Sequence, residues 1–345
     1  MASEQPIIIA TRGSALALAQ ASLIAEQCRA AFPRLRFELK IIRTTGDKLQ
    51  KSSLVEGGLP KGLFTKELEV ALVNGEADLA VHSLKDLPTE LPERLILAAT
   101  PKREDVRDVL IYRNSQLSTL NSQPACRSFK PHTTLKDFPP GATIATSSTR
   151  RKMSLLAARP DLNIVEIRGN VPTRLQKVAE CGELDATVLA LAGLTRLNFQ
   201  IQEERAQLVR ELGEARTGCP RSGKLAGEGV PDGLLATVLD LDMMLPCVGQ
   251  GAIGIEIRAD DEPIEKIVGR LNDFNTFHCV TAERAFLRAM GGGCQSPVAA
   301  YAEIFGDKIL MRAVSFHHEI VRRGEGKRPL AEAAALGEEL AAQLK

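Results

Sequence analysis

With 345 residues and 44% hydrophobic side chains, the chain has material for two or three domains with cores of their own. Lys plus Arg (44) nearly balance Asp plus Glu (43), and the chain has no Trp and only 2 Tyr, so neither a global basic field nor an aromatic platform points to nucleic acid. No apolar run reaches the ~18 residues of a membrane span, and residues 1–6 lack a secretory signal's basic start and apolar stretch, which predicts a cytoplasmic chain without a membrane partner.

The chain opens with an apolar strand over 7–10, passes Thr11, Arg12, Gly13 and Ser14, and enters an Ala- and Leu-rich helix over 15–31 with Ser14 as its N-cap. Unpaired N–H groups and the positive dipole end make such a turn an anion site, with Arg12 beside it. Residues 44–63, rich in Gly and Lys and including Lys61, lie between a strand and a helix over 64–74 that begins at Phe64; they read as a lid.

Leu79, Ala80 and Val81 form a short buried strand that runs into His82, Ser83, Leu84, Lys85 and Asp86. In open α/β sheets ligands sit beyond the carboxyl ends of the strands, so Ser83, Lys85 and Asp86 are candidate site residues. His82, a lone histidine leaving a strand, is read as packed or hydrogen-bonded. The chain supplies a control: residues 182–193 echo 75–86 without a gap and put Leu189, Ala190, Ala192 and Gly193 where the first copy has His82, Ser83, Lys85 and Asp86. The fold therefore does not require those polar groups.

Residues 114–141, rich in Ser, Pro and Thr, read as an interdomain crossing with an insertion. The opening grammar then returns: a strand over 143–145, the turn Thr146, Ser147, Ser148, Thr149, Arg150 and Arg151, and a helix over 152–159. A third such turn, Arg168 and Gly169 to Arg174, follows a strand over 163–167, with Pro172 opening a helix toward Glu180. Arg12, Arg150, Arg151, Arg168 and Arg174, all in turns after strands, read as a shared anion site. Residues 200–233 begin as a charged helix and become Gly-rich, a surface excursion.

Gly249, Gln250, Gly251 and Gly254 match the dinucleotide pattern G-x-G-x-x-G, but a strand over 255–258 follows where that fingerprint needs a helix. Gln250 and Gly251 read instead as a turn where the chain re-enters the first domain, which sets aside a nicotinamide-dependent oxidoreductase. After Asn272 come a helix over 281–290, the loop Gly291, Gly292, Gly293 and Cys294, alternating strands and a terminal Ala/Glu/Leu helix. The seven cysteines form no Cys-x-x-Cys pair, so no metal is expected; most read as small buried hydrophobes, while Cys294 sits on a bare glycine loop.

These motifs together resemble the porphobilinogen deaminase family, also called hydroxymethylbilane synthase. The likeness rests on Ala10 to Arg12 with Ser14, Thr44 to Lys48, Lys61 to Glu69, Val81 to Pro88, Thr146 to Ser148 with Arg150 and Arg151, Ile167 to Asn170 with Thr173 and Arg174, Val248 to Ala252, and Gly292 to Cys294. No single motif is decisive; their order and spacing are.

The resemblance implies an α/β fold of three domains. The first two would be similar to periplasmic-binding-protein domains around a cleft, and the third a small α+β domain. The expected boundaries are 4–113 with 247–266 for the first, 114–246 for the second and 267–345 for the third. It implies a monomer that condenses four porphobilinogens head to tail, with loss of ammonia, on a dipyrromethane cofactor held by a thioether to Cys294, and then releases hydroxymethylbilane for heme and other tetrapyrroles. Asp86 matches the catalytic aspartate, which would stabilise positive charge on the azafulvene left when ammonia departs. Arg12, Ser14, Ser83, Lys85, Thr146, Ser147, Ser148, Arg150, Arg151, Arg168, Gly169, Arg174, Gln250 and Gly251 match positions that bind cofactor and the growing polypyrrole, with Lys61 and Phe64 auxiliary at the lid. The chain departs from the family pattern in Glu56 to Pro60, in longer segments at 114–141 and 200–245, and in stopping soon after its last helix. A solute-binding or sensing module is the rival reading, and Asp86 and Cys294 separate the two, since an anion binder gains nothing from a cleft carboxylate or a tethered thiol.

Overall fold

The computed structural model describes residues 5–46, 64–115, 127–180, 182–202, 222–293, 295–317 and 320–345. From the N-terminus the elements are β1 (Ile7–Arg12), α1 (Ala15–Ala31), β2 (Phe37–Ile42), α2 (Lys66–Val73), β3 (Leu79–Ser83) and β4 (Leu95–Ala99). Then follow β5 (Asp108–Arg113), β6 (Thr143–Ala145), α3 (Thr149–Ala158), β7 (Asn163–Val165), α4 (Val171–Ala179), β8 (Ala186–Ala190), α5 (Leu191–Arg196), β9 (Gln200–Gln202), β10 (Ser222–Ala226) and β11 (Leu234–Val238). The chain closes with β12 (Ile253–Arg258), α6 (Glu262–Gly269), α7 (Phe274–Ala289), β13 (Val298–Phe305), β14 (Lys308–Ser315), β15 (Arg322–Pro329) and α8 (Ala333–Leu344). It divides into two units, Met1–Asp105 with Cys247–Lys345, and Val106–Pro246.

The first unit holds a sheet of order β2-β1-β3-β12-β4, in which β1, β2 and β3 run parallel and β12 runs antiparallel to both neighbours. Ile9, Leu79, Val81, Ile255 and Ile257 pack with Ala21, Ile24 and Cys28 of α1, while Ala10 and Ala80 pack with Leu68 and Leu72 of α2. Helices on both faces explain why the strands read as nearly continuous apolar runs. The same unit contains a three-stranded antiparallel sheet, β13-β14-β15, one face of which packs on α7 and α8.

The second unit holds a sheet of order β7-β6-β8-β5-β11-β10-β9, parallel among β6, β7 and β8 and antiparallel from β5 onward. Its first five strands repeat the order of the first sheet, with β6, β7 and β8 standing for β1, β2 and β3. The sequence echo lays β3 onto β8 residue for residue. The α/β class read from the sequence holds, and among the described residues no helix is long and apolar enough to cross a membrane.

Several local expectations differ. The helix expected from Thr281 begins at Phe274, because the Asp273 side chain caps it by accepting from the Thr276 amide at 2.8 Å. The strand expected over 163–167 ends at Val165. The helix expected from Gln200 is strand β9, which with β10 completes the edge of the second sheet; residues 203–221 lie outside the described set. The described part of 114–141 sends two rings into the core of the second unit: Phe129 and Phe138 stand 4.3 Å apart, and each meets Tyr112 edge-on at 6.0 Å.

Helices α7 and α8 pack closely because Gly337 has no side chain. A Cβ there would run into the Ala282 carbonyl and come within 2.7 Å of the Phe286 amide nitrogen, both backbone atoms that cannot give way. Gly337→Ala should therefore destabilise the protein by about 1–3 kcal/mol, measured by chemical denaturation. Gly269→Ala, at the end of α6 with open space around it, is the neutral control.

Candidate active site

Strand β1 ends in Arg12 and β3 in Ser83, and the 3-10 turn Leu84–Asp86 follows directly. Arg12, Ser14, Phe64, Ser83 and Asp86 line one pocket of the first unit. The Arg12 guanidinium lies over the Phe64 ring, 4.2 Å from its centre, and a side chain on Gly46 would collide with that ring. Ser14 caps α1 as the sequence predicts, its hydroxyl accepting from the Ala17 amide at 3.3 Å. Lys85 is half-buried on the turn beside Asp86.

One further pocket residue went unrecognised in the sequence. Gln20, 2% exposed on α1, accepts from the Ser83 hydroxyl at 3.0 Å through Oε1, while its Nε2 has no hydrogen-bond partner. Its signal was a polar residue on the stripe Gln20, Ile24, Cys28, spaced four apart on the buried face of an otherwise apolar helix. His82 also lines the pocket, and its Nε2 lies 3.0 Å from Glu256 Oε2, both side chains almost wholly buried. Glu69 of α2 belongs to the same group: burial raises its carboxyl above the usual range, partly offset by a hydrogen bond from Thr65, and Glu256 raises it further.

In the second unit α3 begins at Thr149, so Arg150 and Arg151 fall in its first turn and point inward. Both meet Asp108 at the start of β5: Arg150 Nη1 lies 2.8 Å from one carboxylate oxygen, and Arg151 reaches the other through Nη2 at 2.7 Å and Nε at 3.1 Å. Arg150 also donates to the Leu245 carbonyl and Arg151 to that of Val188. Burial alone would raise the Asp108 carboxyl, but the two guanidiniums outweigh it and hold it down at about 2. The sequence signal was a lone acid entering the apolar run Val109 to Tyr112.

Ser147 bridges to Ile167, donating to its carbonyl at 2.6 Å and accepting from its amide at 3.2 Å. Thr146 is buried and accepts from the Ser148 amide, and Ser148 caps α3. Arg174 donates to the Gly169 carbonyl at 2.8 Å, and burial, then Arg151, lowers its ionisation range. Gly169 needs its φ of +114°, and a Cβ there would press on Thr173. Arg168 is exposed beside Glu166, a pair of the kind that contributes little. The second unit thus gathers Arg150, Arg151 and Arg174 and leaves Arg168 on its surface.

Gln250 and Gly251 form the expected turn into β12, the Gln250 carbonyl accepting from Arg103 Nε at 2.8 Å. A Cβ on Gly251 would lie 2.7 Å from the Glu104 carbonyl oxygen. Cys294 and Lys61 lie outside the described residues, as does most of the expected lid, 47–63. Among the described residues no group of acids, histidines and cysteines has the makings of a metal site.

Residues 7–266 match the family model "Porphobilinogen deaminase, dipyromethane cofactor binding domain", and residues 277–345 match "Porphobilinogen deaminase, C-terminal domain". The chain is 40% identical to a porphobilinogen deaminase of Chlorobium chlorochromatii, covering 99% of this chain and 96% of the relative. It is 41% identical to one of Sorangium cellulosum, covering 98% of both. Solved structures of like shape include the periplasmic aliphatic sulphonate binding protein SsuA from Escherichia coli, at 13% identity over 84% of this chain and 71% of that one, with a TM-score of 0.37.

Asp108 neutralises one of two buried guanidiniums, so Asp108→Asn should cost about 3–5 kcal/mol of stability at neutral pH, read from denaturant unfolding. The carboxyl is depressed in the fold from its ordinary 3.8 to about 2, so its contribution is present above 3.8 and lost as pH falls through 2. The gap between variant and wild type should narrow over that window.

Proposed function

The chain belongs to the porphobilinogen deaminase family, and from that premise we propose that it is a transferase of tetrapyrrole synthesis, acting as a cytoplasmic monomer. It joins four porphobilinogens head to tail on a dipyrromethane carried by Cys294, releases ammonia at each addition and frees hydroxymethylbilane. The observation that carries this reading is the pocket in which Asp86 stands beside Arg12, Ser14 and Ser83, a carboxylate among anion-binding donors. A module that only bound anions would be weakened by that carboxylate.

The residues fit a cofactor rich in carboxylates. Gln20 Nε2 is a buried donor without a partner at the pocket wall, and Arg12 and Ser83 stand on the same wall. Gly292 and Gly293 keep the backbone before Cys294 bare, and a Cβ on Gly292 would strike Ser296. When bound, dipyrromethane supplies a nucleophilic pyrrole carbon. Asp86 stabilises the positive charge that develops on the substrate ring as its amine departs, and holds it more strongly than the neutral ground state. Arg12, Lys85, Ser14 and Ser83 hold pyrrole carboxylates in the first unit. In the second, Arg150, Arg151 and Asp108 together carry one net positive charge, which with Arg174 draws the lengthening polyanion. Thr146, Ser147, Ser148 and the backbone at Gly169 complete that set.

Incubation with porphobilinogen should release ammonia and yield a linear tetrapyrrole, and the purified protein should be heavier than its sequence by one dipyrrole. Cys294→Ala should return the mass to the sequence value and abolish turnover; an unmodified mass from active wild type refutes the attachment. Asp86→Asn, which keeps size and loses charge, should reduce kcat by about 10²–10³-fold with folding intact.

A further inference from the structure

Behind the pocket wall lies a group of charges that the reading above does not use. His82 stands opposite Gly254 in the antiparallel pair of β3 and β12, and Glu256 is its diagonal neighbour two residues on, close enough for a long side chain to reach the ring. The Glu256 carboxylate is wholly buried, and its second oxygen, like Oε1 of Glu69, has no hydrogen-bond partner. Burying a carboxylate and an imidazole, with the half-buried Glu69 beside them, is costly, and apolar residues of similar volume often serve a fold as well or better.

The second unit shows that replacement made. There β8 and β5 pair in the same antiparallel sense, Leu189 stands at the place of His82 opposite Val109, and Ile111 stands at the place of Glu256. Leu189 and Ile111 are buried core residues. The fold thus accepts an apolar pair at these two positions, and the ionic pair occurs in the unit whose pocket holds Asp86.

We propose that the buried pair His82 and Glu256, with the half-buried Glu69, are positioning residues that set the electrostatic field in which Asp86 works, an inference that rests on the porphobilinogen-condensing reading above. The other charged groups facing them are Lys66 on α2, and Arg12 and Asp86 at the pocket. Arg258, farther along β12, is held by Asp78 and Asp261. Burial, and then the nearby Glu256, raises the Glu69 carboxyl, so the two carboxylates stand within electrostatic reach of each other.

The test copies the second unit into the first. In the cofactor-loaded enzyme, His82→Leu with Glu256→Ile should keep the fold and the bound dipyrrole. It should lower kcat about tenfold or more. A double variant with wild-type kcat overturns the proposal. The single changes, read as kcat over about pH 5 to 9, test the field itself and decide alone should the double variant not fold. Glu256→Gln removes the carboxylate and should carry the acid limb to lower pH, whereas His82→Gln leaves that carboxylate without its imidazole partner and should carry it to higher pH, each by about half a unit or more. Shifts in the same direction, or none, overturn it. Failure of the parent reading would show in the wild type itself, as absence of ammonia release, and would take this inference with it.

Discussion

One carboxylate holds the first unit together where the chain leaves it and returns. Glu283 of α7 is fully buried and accepts four hydrogen bonds: two from the Arg103 guanidinium at 2.7 and 3.0 Å, one from the Gly249 amide at 2.8 Å and one from the Ala302 amide at 2.9 Å. Arg103 precedes the point where the chain passes into the second unit by two residues, and Gly249 follows the point of return by two. Burial alone would lower the ionisation range of Arg103, yet Glu283 raises it, so the guanidinium stays charged. A bidentate pair whose remaining lone pairs are filled by backbone amides meets the condition under which a buried ion pair offsets its desolvation. Through it the turn that carries Gln250 and Gly251, the helix α7 and the strand β13 share one anchor. The loop toward Cys294 leaves from the C-terminal end of that helix.

The two α/β sheets apply one topology to different electrical ends. In both, three parallel strands are followed by an antiparallel strand, β12 in the first and β5 in the second. In the first unit a buried imidazole and carboxylate pair lies on β3 and β12, behind the pocket that contains Asp86. In the second, buried charge lies at the start of β5, where Asp108 draws Arg150 and Arg151 inward. Each arrangement fixes the direction of long charged side chains that would otherwise sample many rotamers, and this preorganisation makes a charge effective on a ligand.

Much of this was legible in the sequence, for specific reasons. Ser14 was readable as a cap because a hydroxyl before an Ala- or Leu-rich run satisfies a helix's first amides, and it does so; the second-unit helix begins at Thr149, three residues before the expected Lys152, with Ser148 as its cap. The glycine pattern at Gly249 to Gly254 was correctly set aside, since β12 and not a helix follows it. The start of α7 was missed because Phe274 to Cys279 has no clear period, and the helix there depends on the Asp273 cap and on burial against α8. Strand β9 was missed because three residues with a single apolar one, Ile201 between two glutamines, carry little strand signal; they pair because β10 stands beside them. Arg150 and Arg151 were readable as charges near a helix start but not as partners of Asp108, which lies about forty residues earlier.

The sequence by itself determined the class of the fold, the repeat of strand, turn and helix, the gapless echo that aligns β3 with β8, and the family to which Asp86 and Cys294 belong by motif. Those properties depend on local period, capping and residue order, which short windows contain. Tertiary structure alone decided which polar groups meet: His82 with Glu256, Asp108 with two arginines, Arg103 with Glu283, and Ser83 with Gln20. These pairs join residues separated by tens to well over a hundred positions, and burial favours each charge only where a partner from another element arrives to compensate it.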